Sequence, residues 1–257
     1  MKNIPNLFTL LNLIFGCTAI VFALQTENIN IYTNDEFISS FNVPEKLSYA
    51  ALFLYAAAVV DFLDGFVARF FKSCSELGKQ LDSLADVVSF GVAPGVIFYQ
   101  LLRMSFIREE NGLDISVLWL LPAFLFAAAA AYRLAKFNLD ASQGYGFKGV
   151  PTPAAGLLVA SFPLILHYGS GFINISEWLV NKWVLYVLIV VLSWLMISRL
   201  PMIALKFKDF SIKNDMPKII LLAIGILAAI FLKWLAVPII FIAYIILSLA
   251  FKNKPTT

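Results

Sequence analysis

The chain has 257 residues, of which 61% are hydrophobic and 14% are charged, and its formal net charge is +3. A soluble domain averages about 25% charged residues, and the polar surface of a soluble fold this size is too small to hide so much apolar side chain. Composition therefore excludes a soluble enzyme, a nucleic-acid-binding module and a disordered protein, and it indicates a chain dissolved in lipid.

Gaps between charged residues mark the membrane spans, because a helix needs about 20 mostly apolar residues to cross a bilayer. We predict an all-α integral membrane protein in which residues 1–257 form one polytopic domain of about eight transmembrane helices. The predicted helices are 5–24, 47–70, 80–102, 116–138, 153–170, 182–199, 217–233 and 235–251. Only Lys233, Trp234 and Pro238 mark a turn between the last two, so a re-entrant pair or one broken long helix stays open as an alternative.

The distribution of lysine and arginine predicts the orientation of these spans. With eight spans both termini share one side, and that side holds 14 of the 19 basic residues. The other side holds Lys46, Arg103, Arg108, Lys182 and Lys233. The sequence therefore predicts cytoplasmic termini in the cytoplasmic (inner) cell membrane and an external loop over 25–46.

Four aspartates stand where spans two and three meet the predicted cytoplasmic edge. Asp61 and Asp64 are separated by three positions, and Asp82 and Asp86 by four, so each pair lies on one face of its helix. The short turn 70–78 makes the two helices antiparallel neighbours, and their carboxylates converge. Buried together, these charges would repel one another unless they are protonated or bind cations. All-oxygen ligands suit hard cations such as Mg²⁺, Mn²⁺ or Ca²⁺, and two-metal sites are typical of phosphoryl displacement.

Small and basic residues accompany the carboxylates. Gly65, Ala68 and Gly78 remove side-chain bulk on or beside the carboxylate face, which allows a ligand to approach closely. The alternative is close packing of small residues between membrane helices. Arg69 and Lys72 could reach a phosphate, or they could belong to the positive flank of the span.

The identities and the spacing of the residues from Asp61 to Asp86 resemble those of a known protein family. The pattern Asp61-x2-Asp64-Gly65-x2-Ala68-Arg69-x8-Gly78-x3-Asp82-x3-Asp86 resembles the signature of the CDP-alcohol phosphotransferase family at every fixed position. IPNLFTLLNLIFG at the start, LDSLADVVSFGVAP at 81–94, RLAKFN at 133–138 and GVPTPAA at 149–155 resemble the membrane-embedded (type II) phosphatidylserine synthases of that family. The resemblance covers residues 4–155, and the rest of the chain matches only as hydrophobic spans.

The resemblance implies a fold and an activity. The family's fold has a core of six transmembrane helices and commonly forms homodimers, so this chain would have a catalytic core at about 4–200 and two extra helices at about 217–251. The implied reaction transfers the phosphatidyl group from CDP-diacylglycerol to L-serine at the cytoplasmic side, giving phosphatidylserine and CMP.

The resemblance also implies roles for individual residues. Two divalent cations, Mg²⁺ or Mn²⁺, would be held by Asp61, Asp64 and Asp82 and by Asp61, Asp82 and Asp86. Asp86 matches the position of the general base that takes the proton of the alcohol. The positions that line the nucleotide pocket are matched by Asp64, Gly65, Ala68, Arg69 and Gly78.

The acceptor alcohol requires further residues, since the shared signature does not select it. Arg133 and Lys136 are three positions apart on one helical face, with Asn138 beside them. We hypothesise that one of the two cations binds a lipid phosphate or the serine carboxylate; the alternative is positive flanking of span four. Weaker candidates for the acceptor are Ser83, Ser89 and Lys148. Asn6 and Thr9 could reach the nucleotide, or they could form hydrogen bonds to neighbouring helices.

Two alternative functions stay open. The same chemistry with glycerol 3-phosphate or an inositol phosphate as acceptor would demand additional basic residues near the site. A cation or proton transporter would also place carboxylates inside the membrane. Against a transporter, the later spans contain no second DxxDG segment, and the carboxylates lie at one membrane edge rather than at the midplane.

Overall fold

A computed structural model describes residues 4–25, 45–70, 75–107, 115–139, 147–169, 175–203 and 216–251. Nearly all of the loop 25–46, which is predicted to be external, falls outside these residues. The described helices are α1 (Ile4–Leu24), α2 (Glu45–Phe70), α3 (Glu76–Val87), α4 (Ala93–Ile107), α5 (Leu125–Leu139), α6 (Thr152–Tyr168), α7 (Ser176–Leu179), α8 (Lys182–Ile197), α9 (Met216–Leu232) and α10 (Ala236–Ala250). Two short strands, β1 (Phe147–Lys148) and β2 (Pro201–Met202), pair antiparallel.

The predicted all-α membrane fold is confirmed. Among the described residues, five helical stretches are long and apolar enough to cross a bilayer, and the shorter apolar helices α6 and α8 accompany them. The third predicted span is longer than expected, because the π-helical turn Val88–Val92 joins α3 to α4 in one helical stretch, Glu76–Ile107. Ser75 precedes this stretch and caps it, because its side chain accepts a hydrogen bond from the Gly78 amide at 3.0 Å.

The last two predicted spans form a helical hairpin. Lys233 has a φ of 50° within the 3₁₀ turn Lys233–Leu235, and the chain reverses there. A Cβ built on Gly225 of α9 would lie 3.4 Å from Cδ1 of Ile240 in α10. Residues fifteen positions apart in one continuous helix would be about 22 Å apart along its axis, so the contact excludes a single unbroken helix.

The first three spans are held in a fixed register by interior contacts. A Cβ on Gly78 would lie 3.1 Å from Oδ1 of Asn6, and Gln100 donates a hydrogen bond to the Ala23 carbonyl at 2.9 Å. Contacts that advance together along both helices mean that α1 runs parallel to α3 and α4. The rings of Phe22 and Phe53 stack with centroids 5.2 Å apart, near the start of α2, which makes α2 antiparallel to both.

Close backbone approaches surround the π-helical turn. A Cβ on Gly16 of α1 would lie 2.3 Å from Oγ of Ser89, and one on Gly91 would lie 3.0 Å from Cβ of Ala130 in α5. The π-helical turn is therefore held tightly between α1 and α5. As a result, the residues one turn before Gly16 in α1 and one turn after Ala130 in α5 lie beside the end of α3.

The strand pair closes the same end of the bundle. Gly149 follows β1 with a φ of +76°, a conformation that glycine adopts without strain, and a Cβ there would lie 2.5 Å from the Met196 carbonyl oxygen. Its amide donates to the Leu200 carbonyl at 2.8 Å. This connection holds the start of α6 against the end of α8. Thr152, the first residue of α6, is thereby held in position.

Candidate active site

Three of the predicted aspartates come together between α2 and α3. Asp61 of α2 and Asp82 and Asp86 of α3 each offer a carboxylate oxygen, and these oxygens lie within 4.8 Å of one another. Asp86 is buried, whereas Asp61 and Asp82 are partly exposed. The antiparallel packing of the two helices and the three- and four-residue spacings produce this cluster, which we call the carboxylate cluster.

Asp64 stands beside the cluster rather than in its compact group. Its carboxylate is buried and accepts a short hydrogen bond from the hydroxyl of Thr9 in α1. Asp64 nevertheless lies within electrostatic range of Asp61 and Asp82. The second implied ligand triplet, Asp61, Asp82 and Asp86, is thus grouped within 4.8 Å, whereas Asp64 is hydrogen-bonded to α1.

Helix α1 supplies polar side chains to both aspartate pairs. One turn from Thr9, the amide nitrogen Nδ2 of Asn12 donates to Oδ1 of Asp86 at 3.3 Å. The backbone oxygen of Asn12 accepts a hydrogen bond from the Ser89 hydroxyl at 3.0 Å. Sequence reasoning did not single out Asn12, although Asn6, Thr9 and Asn12 recur every three positions within an otherwise apolar span, which was a readable signal of a polar face.

The signature's small residues have different surroundings. Among the described residues, no atom lies within 4 Å of a Cβ built on Gly65, so packing among those residues does not explain that glycine. Gly78 is explained by packing, because a Cβ there would press on Ser75 Oγ at 3.0 Å and on Asn6. Ala68 and Arg69 lie in the last turn of α2, but their side chains, like Lys72 as a whole, are outside the described part of the chain.

Among the predicted acceptor cations whose side chains the structure describes, Arg133 is the one that is buried. Its side chain is 8% exposed, donates through Nη1 to Oγ1 of Thr152 at 3.3 Å, and lies within electrostatic range of Asp86. Lys136 is exposed, although it is only three residues away. Thr152, at the start of α6, was not predicted.

The remaining acceptor candidates do not converge on Arg133. Asn138 donates to the hydroxyl of Ser83 at 2.8 Å, and Ser83 donates to the Lys79 carbonyl at 3.2 Å, so these two side chains tie α5 to α3. Lys148 belongs to β1, and its side chain lies outside the described residues.

The donor set of the carboxylate cluster fits a hard divalent cation. Two unit charges 4 Å apart repel by about 4 kcal/mol at the effective dielectric constant of a protein surface. The described side chains that face the aspartates supply two neutral donors and one arginine, from Thr9, Asn12 and Arg133, against four carboxyl groups. Carboxylate oxygens are the ligands that Mg²⁺ and Mn²⁺ prefer, so a bound divalent cation would compensate the remaining negative charge.

Comparison with known proteins gives a consistent result. Residues 2–195 match the CDP-alcohol phosphatidyltransferase family. A protein of Mycobacterium leprae named CDP-diacylglycerol–serine O-phosphatidyltransferase is 30% identical over 79% of this chain and 58% of its own length. Two proteins of the same name are also similar. The one from Bacillus subtilis is 31% identical over 66% of this chain and 83% of its own length. The one from Methanocaldococcus jannaschii is 33% identical over 65% of this chain and 72% of its own length.

The family match covers only part of the chain. The family match ends at residue 195, within α8, so the α9–α10 hairpin lies beyond it. The chain spans less than two thirds of the length of the Mycobacterium leprae protein. All elements that carry the carboxylate cluster lie inside the match.

Proposed function

The chain belongs to the CDP-alcohol phosphatidyltransferase family, and on this basis we propose that it transfers a phosphatidyl group from CDP-diacylglycerol to L-serine. The observation that carries the proposal is the compact group of Asp61, Asp82 and Asp86 at one end of the bundle, within 4.8 Å of one another. The names of the related proteins support serine as the acceptor.

The metal ligands in this proposal are the signature aspartates. Asp61, Asp82 and Asp86 would hold one divalent cation, and Asp64 would join Asp61 and Asp82 at a second, with Mg²⁺ or Mn²⁺ as the ions. When bound, such cations would neutralise charge on the pyrophosphate of the donor lipid and on the leaving CMP. Thr9 would orient Asp64 through its hydrogen bond, as outer-shell partners of ligating carboxylates do.

Asp86 is the proposed general base. The serine hydroxyl is a weak nucleophile, and a carboxylate at hydrogen-bond distance takes its proton as the new bond forms. The serine oxygen bonds to the phosphorus next to the diacylglycerol, the bond from that phosphorus to the bridging oxygen breaks, and CMP leaves with the bonding electrons. Asn12 would keep Asp86 in position, because its amide donates to one oxygen and leaves the other free.

The donor nucleotide would lie over the end of α2. Gly65 offers open space beside Asp64, which supports close approach of the cytidine nucleotide. Ala68, Arg69 and Gly78 complete the proposed nucleotide pocket by their match to the family signature. Arg133 is the proposed contact for the serine carboxylate or the lipid phosphate, and the exposed Lys136 is the weaker of the two cations for this role.

The proposed setting is the cytoplasmic side of the cell membrane. The interior contacts of α1 with α3, and of Tyr244 in α10 with the Ile203 carbonyl (3.0 Å), put the beginning of α1 and the end of α10 at the carboxylate end of the bundle. This arrangement supports termini and active site on the same, cytoplasmic side, as the basic residues predict. A single polytopic domain that forms homodimers is part of the same proposal.

The deciding experiment measures CMP release by the purified protein in detergent with CDP-diacylglycerol, Mg²⁺ or Mn²⁺, and a panel of alcohols. We expect release with L-serine, and only background release without an alcohol. Release only with glycerol 3-phosphate or an inositol phosphate would reassign the acceptor. No release with any alcohol would show that the proposal is wrong.

A further inference from the structure

Two unpaired polar atoms flank Asp86. Among the described residues, the buried side-chain atoms without a hydrogen-bond partner are Asn12 Oδ1, Ser48 Oγ, Arg133 Nε and Ser193 Oγ. Buried polar atoms are normally paired, so an unpaired one calls for an explanation, of which a bound ligand, ion or water is one. Asn12 of α1 is hydrogen-bonded to the Asp86 carboxylate, and the buried side chain of Arg133 in α5 lies within electrostatic range of it.

Asn12 presents a neutral acceptor. The residue is fully buried, and Nδ2 faces the Asp86 carboxylate at 3.3 Å, which is the orientation that avoids repulsion between two oxygens. Its backbone is fixed by the Ser89 hydroxyl. Oδ1 is therefore held in place with no donor to satisfy it, and a ligand that binds there has to bring an N–H or O–H group.

Arg133 presents a cationic donor. Its Nη1 is used by Thr152 at 3.3 Å, whereas Nε has no partner although the side chain is only 8% exposed. A guanidinium edge is well suited to a planar carboxylate. The group that completes this site therefore carries negative charge.

The helix packing brings Asn12 and Arg133 to the same end of α3. Gly16 brings α1 against Ser89, and Gly91 brings α5 against the same π-helical turn through Ala130. Asn12 precedes Gly16 by one helical turn, and Arg133 follows Ala130 by about one turn. Asp86 lies one turn before Ser89, so it is between them.

We propose that Asn12 and Arg133 are the two halves of a pocket for a zwitterionic alcohol. The carboxylate of the acceptor binds at Arg133 Nε, its ammonium donates to Asn12 Oδ1, and its hydroxyl faces Asp86. The inference rests on the proposed function and extends it by assigning the residues that select an amino-acid alcohol. A phosphorylated acceptor would bring negative charge to the Asn12 oxygen and is disfavoured there.

The test uses two analogues that each lack one charge of serine. Ethanolamine keeps the ammonium, and 3-hydroxypropionate keeps the carboxylate. Both are assayed as competitive inhibitors of serine-dependent CMP release, so that their binding is measured whether or not they react. Asn12→Leu removes the acceptor with little change in volume, Arg133→Met removes the cation, and Asn12→Ser keeps a smaller acceptor.

The expected pattern is reciprocal. Asn12→Leu should raise the serine KM and the ethanolamine Ki by about 10- to 100-fold, the range for losing a charge-assisted hydrogen bond, and leave the 3-hydroxypropionate Ki unchanged. Arg133→Met should raise the serine KM and the 3-hydroxypropionate Ki and leave that of ethanolamine unchanged. Asn12→Ser should recover part of the ethanolamine affinity. Ser48→Ala, which alters another unpaired buried polar atom far from Asp86, is the control and should change none of these constants.

The outcomes separate this inference from the proposed function. If the wild-type protein releases no CMP with serine, the proposed function fails and the pocket with it. If it releases CMP but each variant shifts all three constants equally, or neither analogue inhibits, only the pocket is wrong. CDP-diacylglycerol binding and the thermal unfolding midpoint of each variant show whether it is folded.

Discussion

The end of the bundle that carries the carboxylate cluster (the carboxylate end) and the α9–α10 hairpin are both built from apolar helices. They differ in their content of ionisable side chains. Helices α1, α2 and α3 bring carboxylates together with hydrogen-bonding partners from a neighbouring helix. The hairpin has no charged residue over 219–232 or 234–251. It contacts the remainder of the bundle through aromatic rings, such as Tyr55 and Trp234 at 5.5 Å, and through hydrogen bonds to Ile203.

The two regions therefore differ in the free-energy cost of placing their side chains in a membrane. Ionisable groups inside a membrane helix are expensive, so their concentration at one end indicates a function there. The hairpin presents large apolar side chains outward, which is the ordinary surface of a helix in lipid. We therefore expect perturbations at the carboxylate end to change catalysis. In the hairpin, Tyr244 lies within electrostatic range of Arg133, and we expect perturbations away from Tyr244 to change only stability.

Among the changes at the carboxylate end, metal removal should have the largest effect on activity. Chelation by EDTA should abolish CMP release, because the carboxylate cluster would then repel the pyrophosphate instead of binding it. Added Mg²⁺ or Mn²⁺ should restore the rate, and Mn²⁺ binding followed by electron paramagnetic resonance should be lost in Asp82→Asn. Full activity in the presence of chelator would rule out the metal role of the cluster.

Replacing the proposed base should have the next largest effect. Asp86→Asn should lower kcat by about 10²- to 10⁴-fold, the usual contribution of a general base, while CDP-diacylglycerol binding is largely kept. Stopped-assay CMP release and lipid binding measure the two quantities on the same preparation. A variant with the wild-type kcat would remove Asp86 from the proposed role.

Matched glycine substitutions compare packing in the two regions. A Cβ on Gly16 would lie 2.3 Å from Ser89 Oγ, so Gly16→Ala should push α1 away from the helix that carries Asp86. Overpacking of this kind costs about 1–3 kcal/mol, and we expect reduced stability and reduced activity together. In the hairpin, a Cβ on Gly225 would meet Ile240 at ordinary contact distance.

Gly225→Ala should therefore leave activity unchanged and keep or raise the thermal unfolding midpoint, because alanine favours the helix over glycine by about 1 kcal/mol. Both midpoints can be recorded by differential scanning fluorimetry in the same detergent. Equal effects of the two substitutions would show that the close approach at Ser89 does not position the site.

Much of this arrangement could be predicted from the sequence. Charge gaps predicted the apolar helical stretches that the structure describes, because charge is costly on the lipid-facing surface of a helix. The spacing of Asp61, Asp82 and Asp86 predicted a shared site, since helical periodicity fixes which residues share a face. The hairpin geometry was left open, because Lys233 and Trp234 do not specify a reversal that depends on a positive φ.

Other parts of the site depend on contacts that no local pattern encodes. Arg133 and Lys136 carry the same charge and lie three positions apart on one helix, but only Arg133 is buried, where it donates a hydrogen bond to Thr152 at the start of α6. Asn12 is one neutral residue in an apolar span, and its role depends on the register of α1 against α3. That register is fixed by Gly16 and Ser89, which are 73 positions apart in the sequence.

The smallest expected effect is in the hairpin. The Ser248 hydroxyl is buried and accepts a hydrogen bond from the backbone amide of Ile203 at 3.2 Å. Ser248→Ala removes that acceptor and should lower the free energy of unfolding by about 1 kcal/mol, the usual net value of one hydrogen bond. The serine KM and kcat should stay at wild-type values, because Ser248 belongs to the hairpin and holds it to the segment after α8, not to the carboxylate cluster. Thermal unfolding and CMP release on one preparation measure both quantities, and a change in KM would mean that the hairpin contributes to the acceptor site.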